Sequence, residues 1–157
     1  MILKKLFADP EFRCSQTVLF YASFDGEVET FDMMKQAQDL GKRIALPAIR
    51  LEEKKIVPQA VNDLKEDLET GPYGVAQPKP DRAVSIKMDD IDLCVVPGVA
   101  FDRNHRRLGR GAGYYDRFLS ALSPKIPSIG LAFDFQIVPS LPREEHDVPV
   151  TRVITNG

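Results

Sequence analysis

Two histidines and two cysteines are all that this chain offers in the way of soft or imidazole chemistry. Two histidines exclude a multi-histidine metal site, and Cys14 and Cys94 are too few for a disulfide framework. Cys94 lies in the apolar run IDLCVV, where a buried, inert thiol is expected. No apolar run approaches the length of a membrane span, which predicts a protein without a membrane partner. The opening MILKKLFADPEF has basic residues but neither the apolar stretch nor the small-residue cleavage site of a secretory signal, so a cytoplasmic protein is expected. An excess of positive charge is missing too. With 21 Lys and Arg against 23 Asp and Glu, the net charge is −2, which gives no general attraction for nucleic acid or an anionic membrane.

What is present suits one globular domain covering residues 1–157, with 43% hydrophobic and 28% charged residues. Apolar, β-branched runs near residues 17–23, 43–49, 91–98, 126–133 and 150–155 alternate with helical patterns. The clearest helix is expected from Thr30, whose hydroxyl can cap it, to Leu40, with Gly41 as its stop. Near-continuous apolar strands separated by helices predict an α/β class: a single three-layer domain, mostly parallel and Rossmann-like, with helices on both faces of the sheet. Residues 50–90 read as a less regular surface connection with one short helical piece and Gly71, Pro72, Gly74, Pro78 and Pro80.

One stretch breaks the even distribution of charge. Arg103, Arg106, Arg107 and Arg110 fall within eight positions, uninterrupted by any acid, and lead into LGRGAGYYDRFL. Gly109, Gly111 and Gly113 lift the Cβ barrier to positive φ and allow close approach to the main chain. Exposed amides, backed by the positive end of a helix dipole, make an anion site to which arginine adds bidentate donors. The spacing fits neither a Walker loop, for want of a Lys-Ser/Thr pair, nor the dinucleotide fingerprint. A plain glycine loop beside a solvated arginine face remains the alternative. Asp116 carries two readings as well. A carboxylate in a first helical turn suits the dipole as a cap, but beside a phosphate it requires an intervening cation, and magnesium fits that role.

The segment VVPGVAFDRNHRRLGRGAGYYDRFL resembles the signature of the 5-formyltetrahydrofolate cyclo-ligase family. EVETFDMMKQAQDLGKRIALP is similar to the family's early glutamate-threonine helix and strand, and IGLAFDFQIVPSLPREEHDVPVTRVIT to its closing elements, so the likeness spans residues 17–155. The resemblance implies an enzyme that converts 5-formyltetrahydrofolate and ATP, with magnesium, into 5,10-methenyltetrahydrofolate, ADP and phosphate. It implies ATP binding by Arg107, Leu108, Gly109, Arg110, Gly111, Ala112, Gly113, Tyr114 and Tyr115. Folate contacts would come from Ala22, Glu27 and residues 110–114, catalysis from Arg110 and Tyr114, and magnesium contacts from Asp116 and Asp147. Taken alone, Tyr114 reads as helix packing, Glu27 as solvated charge and Asp147 as a turn residue.

Family members usually begin with a further helix bearing a lysine and an arginine for nucleotide phosphates, and Lys4 and Lys5 do not match those residues. That departure keeps open a folate- or nucleotide-binding relative with impaired catalysis. A nucleic-acid module built on the arginine loop is disfavoured by the negative net charge. Oligomeric state is not readable from the residues.

Overall fold

The computed structural model describes residues 1–142 and 148–157. Asp147, expected to contact magnesium, lies outside the described residues. In chain order the elements are α1 (Ile2–Ala8), α2 (Pro10–Cys14), β1 (Thr17–Leu19), α3 (Phe31–Asp39), β2 (Arg43–Arg50), β3 (Lys55–Val61), β4 (Leu68–Thr70), β5 (Ala76–Pro78) and β6 (Val84–Ser85). They continue with β7 (Leu93–Val96), β8 (Ala100–Asp102), β9 (Arg107–Leu108), α4 (Tyr114–Ala121), β10 (Ser128–Ala132), β11 (Ile137–Val138) and β12 (Arg152–Thr155).

Seven strands form the main sheet in the order β12-β10-β7-β1-β2-β3-β6. The pairs from β12 to β2 are parallel, and β3 and β6 add an antiparallel margin, so the expected mostly parallel α/β sheet is what the chain builds. Alternation along the strands explains the three layers. Val18, Ile44, Leu93, Val95, Ile129 and Leu131 point to one face, where Leu6, Phe12, Met33, Met34 and Ala37 of α1–α3 cover them. Leu19, Ala45, Cys94, Val96 and Ala132 point to the other, under Phe118 and Leu119 of α4 and under Phe101. Cys94 is buried as expected, and desolvation pushes its thiol up to about 12, which removes it from thiolate chemistry at neutral pH.

Two expectations are corrected. Thr30 stands at the N-cap of α3, but its hydroxyl donates to the Tyr21 carbonyl at 2.5 Å; the carboxylate of Glu29 takes the exposed amides of Phe31 and Asp32 instead. Gly41, at φ +88°, ends that helix as anticipated. The segment 50–90 is more than a surface connection, since β3 pairs with β2 along its whole length, from Ile44 opposite Val61 to Arg50 opposite Lys55. Residues 68–78 form a second hairpin, β4 with β5, and in place of the expected short helical piece there are a turn at residues 64–66 and a single 3-10 turn at Pro72–Gly74. Tertiary pairing overrides the local turn signals of these proline- and glycine-bearing residues.

The topology fixes where a ligand can sit. From β1 the chain crosses through α3 to β2 on one side, and later returns to place β7 on the other. Strand order therefore reverses between β1 and β7, and the crevice beyond their carboxyl ends is the natural binding position of an open α/β sheet.

Candidate active site

A cavity of about 590 Å³ opens at that reversal point. Tyr21 and Ala22 follow β1 into it, Pro97 and Gly98 follow β7, and the loop from Arg107 to Asp116 forms one side. Every described residue for which a binding or catalytic role was expected lines this one cavity: Ala22, Glu27 and the whole of 107–116. Residues some eighty positions apart in sequence thus meet because β1 and β7 are neighbours.

The four clustered arginines do different things. Arg103 is exposed. Arg106 reaches the Leu141 carbonyl (3.3 Å) and lies 3.9 Å from buried Asp102. Burial pushes the Asp102 carboxyl up, but the amides of Leu141, Arg106 and Asn104 outweigh it and hold the group below the usual carboxylate range. Arg107 is buried; its Nη1 donates to the Pro97 carbonyl at 3.1 Å, Nη2 stands 3.5 Å from Asp116 Oδ1, and its guanidinium covers the Tyr115 ring at 5.3 Å. This side chain ties the end of β7 to the first turn of α4.

Arg110 alone of the four has a half-exposed guanidinium at the cavity. It lies 3.8 Å from Glu27 and 3.6 Å from Asp25, and 5.4 Å over the Phe24 ring. Asp25 and Gly26 both adopt positive φ, a tight turn that folds Glu27 back so that its Oε1 accepts from the Phe24 amide at 2.9 Å. Desolvation raises the Glu27 carboxyl above the usual range, partly offset by that amide and by Arg110. Burial likewise raises the phenols of Tyr21 and Tyr115 well beyond neutral pH, so both are O–H groups there.

Between Arg110 and α4 the backbone is open. Gly111 and Gly113 adopt φ +102° and +75°, where a side chain would be strained, and Gly113 is the left-handed N-cap of α4. Gly109 earns its place differently, because a Cβ there would lie 3.0 Å from the Arg107 guanidinium. Among the described residues none accepts a hydrogen bond from the amides of residues 109–112, so these donors are available to a ligand.

The opposite wall was missed by sequence reasoning. Pro47 and Ile49 of β2, Ile56 of β3, and Tyr73, Val75, Ala76 and Gln77 of the second hairpin line the cavity. Tyr73 meets Tyr114 edge-on with ring centroids 6.3 Å apart, and Gln77 Oε1 accepts from the Ile49 amide at 3.0 Å, pinning this hairpin over β2. The largely apolar KIVPQAV was the available signal for β3; for Tyr73 and Gln77 no local signal exists.

The chain matches known proteins in sequence and in fold. The model of the 5-formyltetrahydrofolate cyclo-ligase family matches residues 1–156. The chain belongs to that family. It is 33% identical over 149 residues to the 5-formyltetrahydrofolate cyclo-ligase of Escherichia coli, covering 90% of this chain and 78% of the relative. A probable 5-formyltetrahydrofolate cyclo-ligase of Caenorhabditis elegans is 30% identical over 99% of this chain and 80% of its own length. The NMR structure of Aquifex aeolicus 5,10-methenyltetrahydrofolate synthetase superposes with a TM-score of 0.82 at 33% identity, covering 98% of this chain and 75% of that one. The family is one of ligases of folate metabolism, so this chain is an enzyme of that kind. The match also takes in residues 1–16, ahead of the stretch in which the sequence resemblance was seen. Within it, Lys5 Nζ donates to the carbonyls of Thr155 and Gly157, and neither Lys4 nor Lys5 lines the cavity.

Proposed function

We propose that this enzyme converts 5-formyltetrahydrofolate to 5,10-methenyltetrahydrofolate with ATP and magnesium, releasing ADP and phosphate. The observation that carries the reading is the set of acceptor-free amides at residues 109–112, which shares one cavity with Arg110 and an apolar wall. A volume of about 590 Å³ is in the range of small-molecule sites.

In this reading the formyl oxygen attacks the outer phosphorus of ATP and ADP leaves. The N10 lone pair then attacks the activated formyl carbon, the C–O bond breaks with departure of phosphate, and the N10 proton is lost. Such chemistry asks for positioning and charge neutralisation in place of a protein nucleophile. The loop amides and Arg110 would hold the transferring phosphoryl group, with Arg107 through Tyr115 around the nucleotide. Ala22, Glu27 and residues 110–114 would contact the folate, and the Tyr114 ring and hydroxyl suit the pterin and formyl region.

Magnesium fits the donor set as an ion carried largely by nucleotide phosphates. Among the described residues no cluster of three or more His, Cys, Asp or Glu could hold a metal ion. An ion carried by nucleotide phosphates needs one or two carboxylates, and Asp116 faces the cavity to supply one, with Asp147 proposed as the second. When bound, the ion would neutralise phosphate charge.

The test is to mix purified protein with 5-formyltetrahydrofolate, ATP and magnesium and follow the absorbance of methenyltetrahydrofolate. Turnover that needs all three supports the proposal. Folate binding without turnover would instead support the impaired relative.

A further inference from the structure

Arg117 has no role in the chemistry above, yet its side chain touches the glycine loop, Tyr114 and the turn between β2 and β3. It sits one turn into α4, on the side of the helix that faces away from Phe118 and Leu119. Its Nε donates to the Lys54 carbonyl at 2.9 Å, in the turn between β2 and β3. Its Nη2 donates to the Ala112 carbonyl at 3.2 Å, inside the glycine loop. The guanidinium carbon also lies 5.2 Å from the centre of the Tyr114 ring.

The geometry accounts for a second demand on Gly113. A Cβ at that position would stand 3.0 Å from Arg117 Nη1, so the glycine serves both the φ of +75° and the passage of the guanidinium across the loop. Among the described residues, 109–112 have few other tethers. Arg110, the other side chain that reaches out of the loop, makes long contacts of 3.4–3.8 Å to the Asp25–Glu27 turn. One planar group with donors in fixed, divergent directions can therefore set the loop against both the hairpin turn and the aromatic ring. An ammonium on a flexible stem cannot reproduce that arrangement.

We propose that Arg117 is a positioning residue: by bridging the Lys54 and Ala112 carbonyls across the face of Tyr114, it holds the glycine loop with its amides toward the cavity. The effect on catalysis rests on the proposed function, but the effect on the loop does not. Two measurements keep these apart. The first is the rate of trypsin cleavage after Arg110 in the native enzyme, compared between parent and Arg117→Ala without ligand. A loop released from its bridge is cut at least about fivefold faster, and an unchanged rate overturns the inference whatever the activity does. The second is steady-state kinetics. A displacement of about 1 Å in a positioning element can cost up to about a hundredfold in rate, so Arg117→Ala lowers kcat/KM for ATP by about tenfold or more while its Tm stays near that of the parent. Guanidinium ion restores part of the lost rate to Arg117→Ala, ammonium ion does not, and Arg117→Lys resembles Arg117→Ala. Full activity in Arg117→Lys, or equal rescue by both cations, would overturn the bridging role. Should the parent show no turnover, the cleavage rates alone decide the matter.

Discussion

The cavity has two walls made in opposite ways. On one side, residues 107–116 carry their purpose in residue type: glycine where φ is positive, arginine for anions, and a carboxylate at a helix start. On the other side, Pro47, Ile49, Ile56, Tyr73 and Gln77 are unremarkable by type and matter through register, because β2 pairs with β3 and the second hairpin folds over both. The first wall offers charge and open amides; the second offers shape. If that division is right, damage to the first should fall on turnover and damage to the second on folate affinity and local stability.

The largest effect should come from Arg110→Ala. Removing a donor aimed at developing charge is expected to lower kcat about a hundredfold or more. Its half-exposed side chain makes only long contacts, so Tm should move by less than about 2 °C. A collapse of Tm in parallel with activity would make Arg110 structural and erase the contrast. Asp116→Asn is the next step down. The magnesium concentration giving half-maximal rate should rise about tenfold with folate binding little changed, and overlapping titration curves would withdraw Asp116 from metal binding.

On the shape-bearing wall, Gln77→Leu removes the acceptor for the Ile49 amide. We expect a loss of about 1 kcal/mol in stability by denaturant titration and a rise of about threefold in KM for folate, with KM for ATP unaffected. A rise in KM for ATP of the same size would show that the walls do not divide the labour.

The smallest effect concerns stability against pH at Glu27. Its carboxyl is raised above the ordinary value, chiefly by burial, so ionisation works against the fold. The stability it contributes is therefore complete below the ordinary glutamate value and lost as pH rises through the raised one. Glu27→Gln keeps the acceptor for the Phe24 amide and removes the charge, and should have a slightly higher Tm than the parent at pH 7, with the gap closing toward pH 4. A gap that widens on acidification would reverse the sign of this account.

The same contrast explains what could be read from residues alone. Parallel strands buried on both faces announce themselves as apolar runs, so β1, β2, β7 and β10 were legible; the half-buried edge strand β12 was legible from its β-branched residues, and the glycine, tyrosine and aspartate spacing exposed the loop and α4. The antiparallel margin was not. Pro58 in KIVPQAV argues locally against a strand, yet it stands opposite Pro47 with its carbonyl turned to the Ile86 amide on the β6 side, so its missing N–H faces away from β2 and the β2–β3 ladder loses no bond there. Tyr73 has a left-handed backbone inside a segment rich in turn residues, and only the pairing of β4 with β5 brings it to Tyr114. Thr30 shows the reverse error: it is a good capping residue by type, but its hydroxyl bonds the Tyr21 carbonyl, a partner nine positions back in the chain that no local rule includes.

The central claim is that the open amides of residues 109–112, with Arg110, receive the phosphates of ATP. Backbone amide NMR of the folded enzyme, titrated with ATP and magnesium, tests it most directly. The largest shift changes are expected on Gly109, Arg110, Gly111 and Ala112, saturating together. Saturable shifts elsewhere on the protein, with these four amides unmoved, would contradict it.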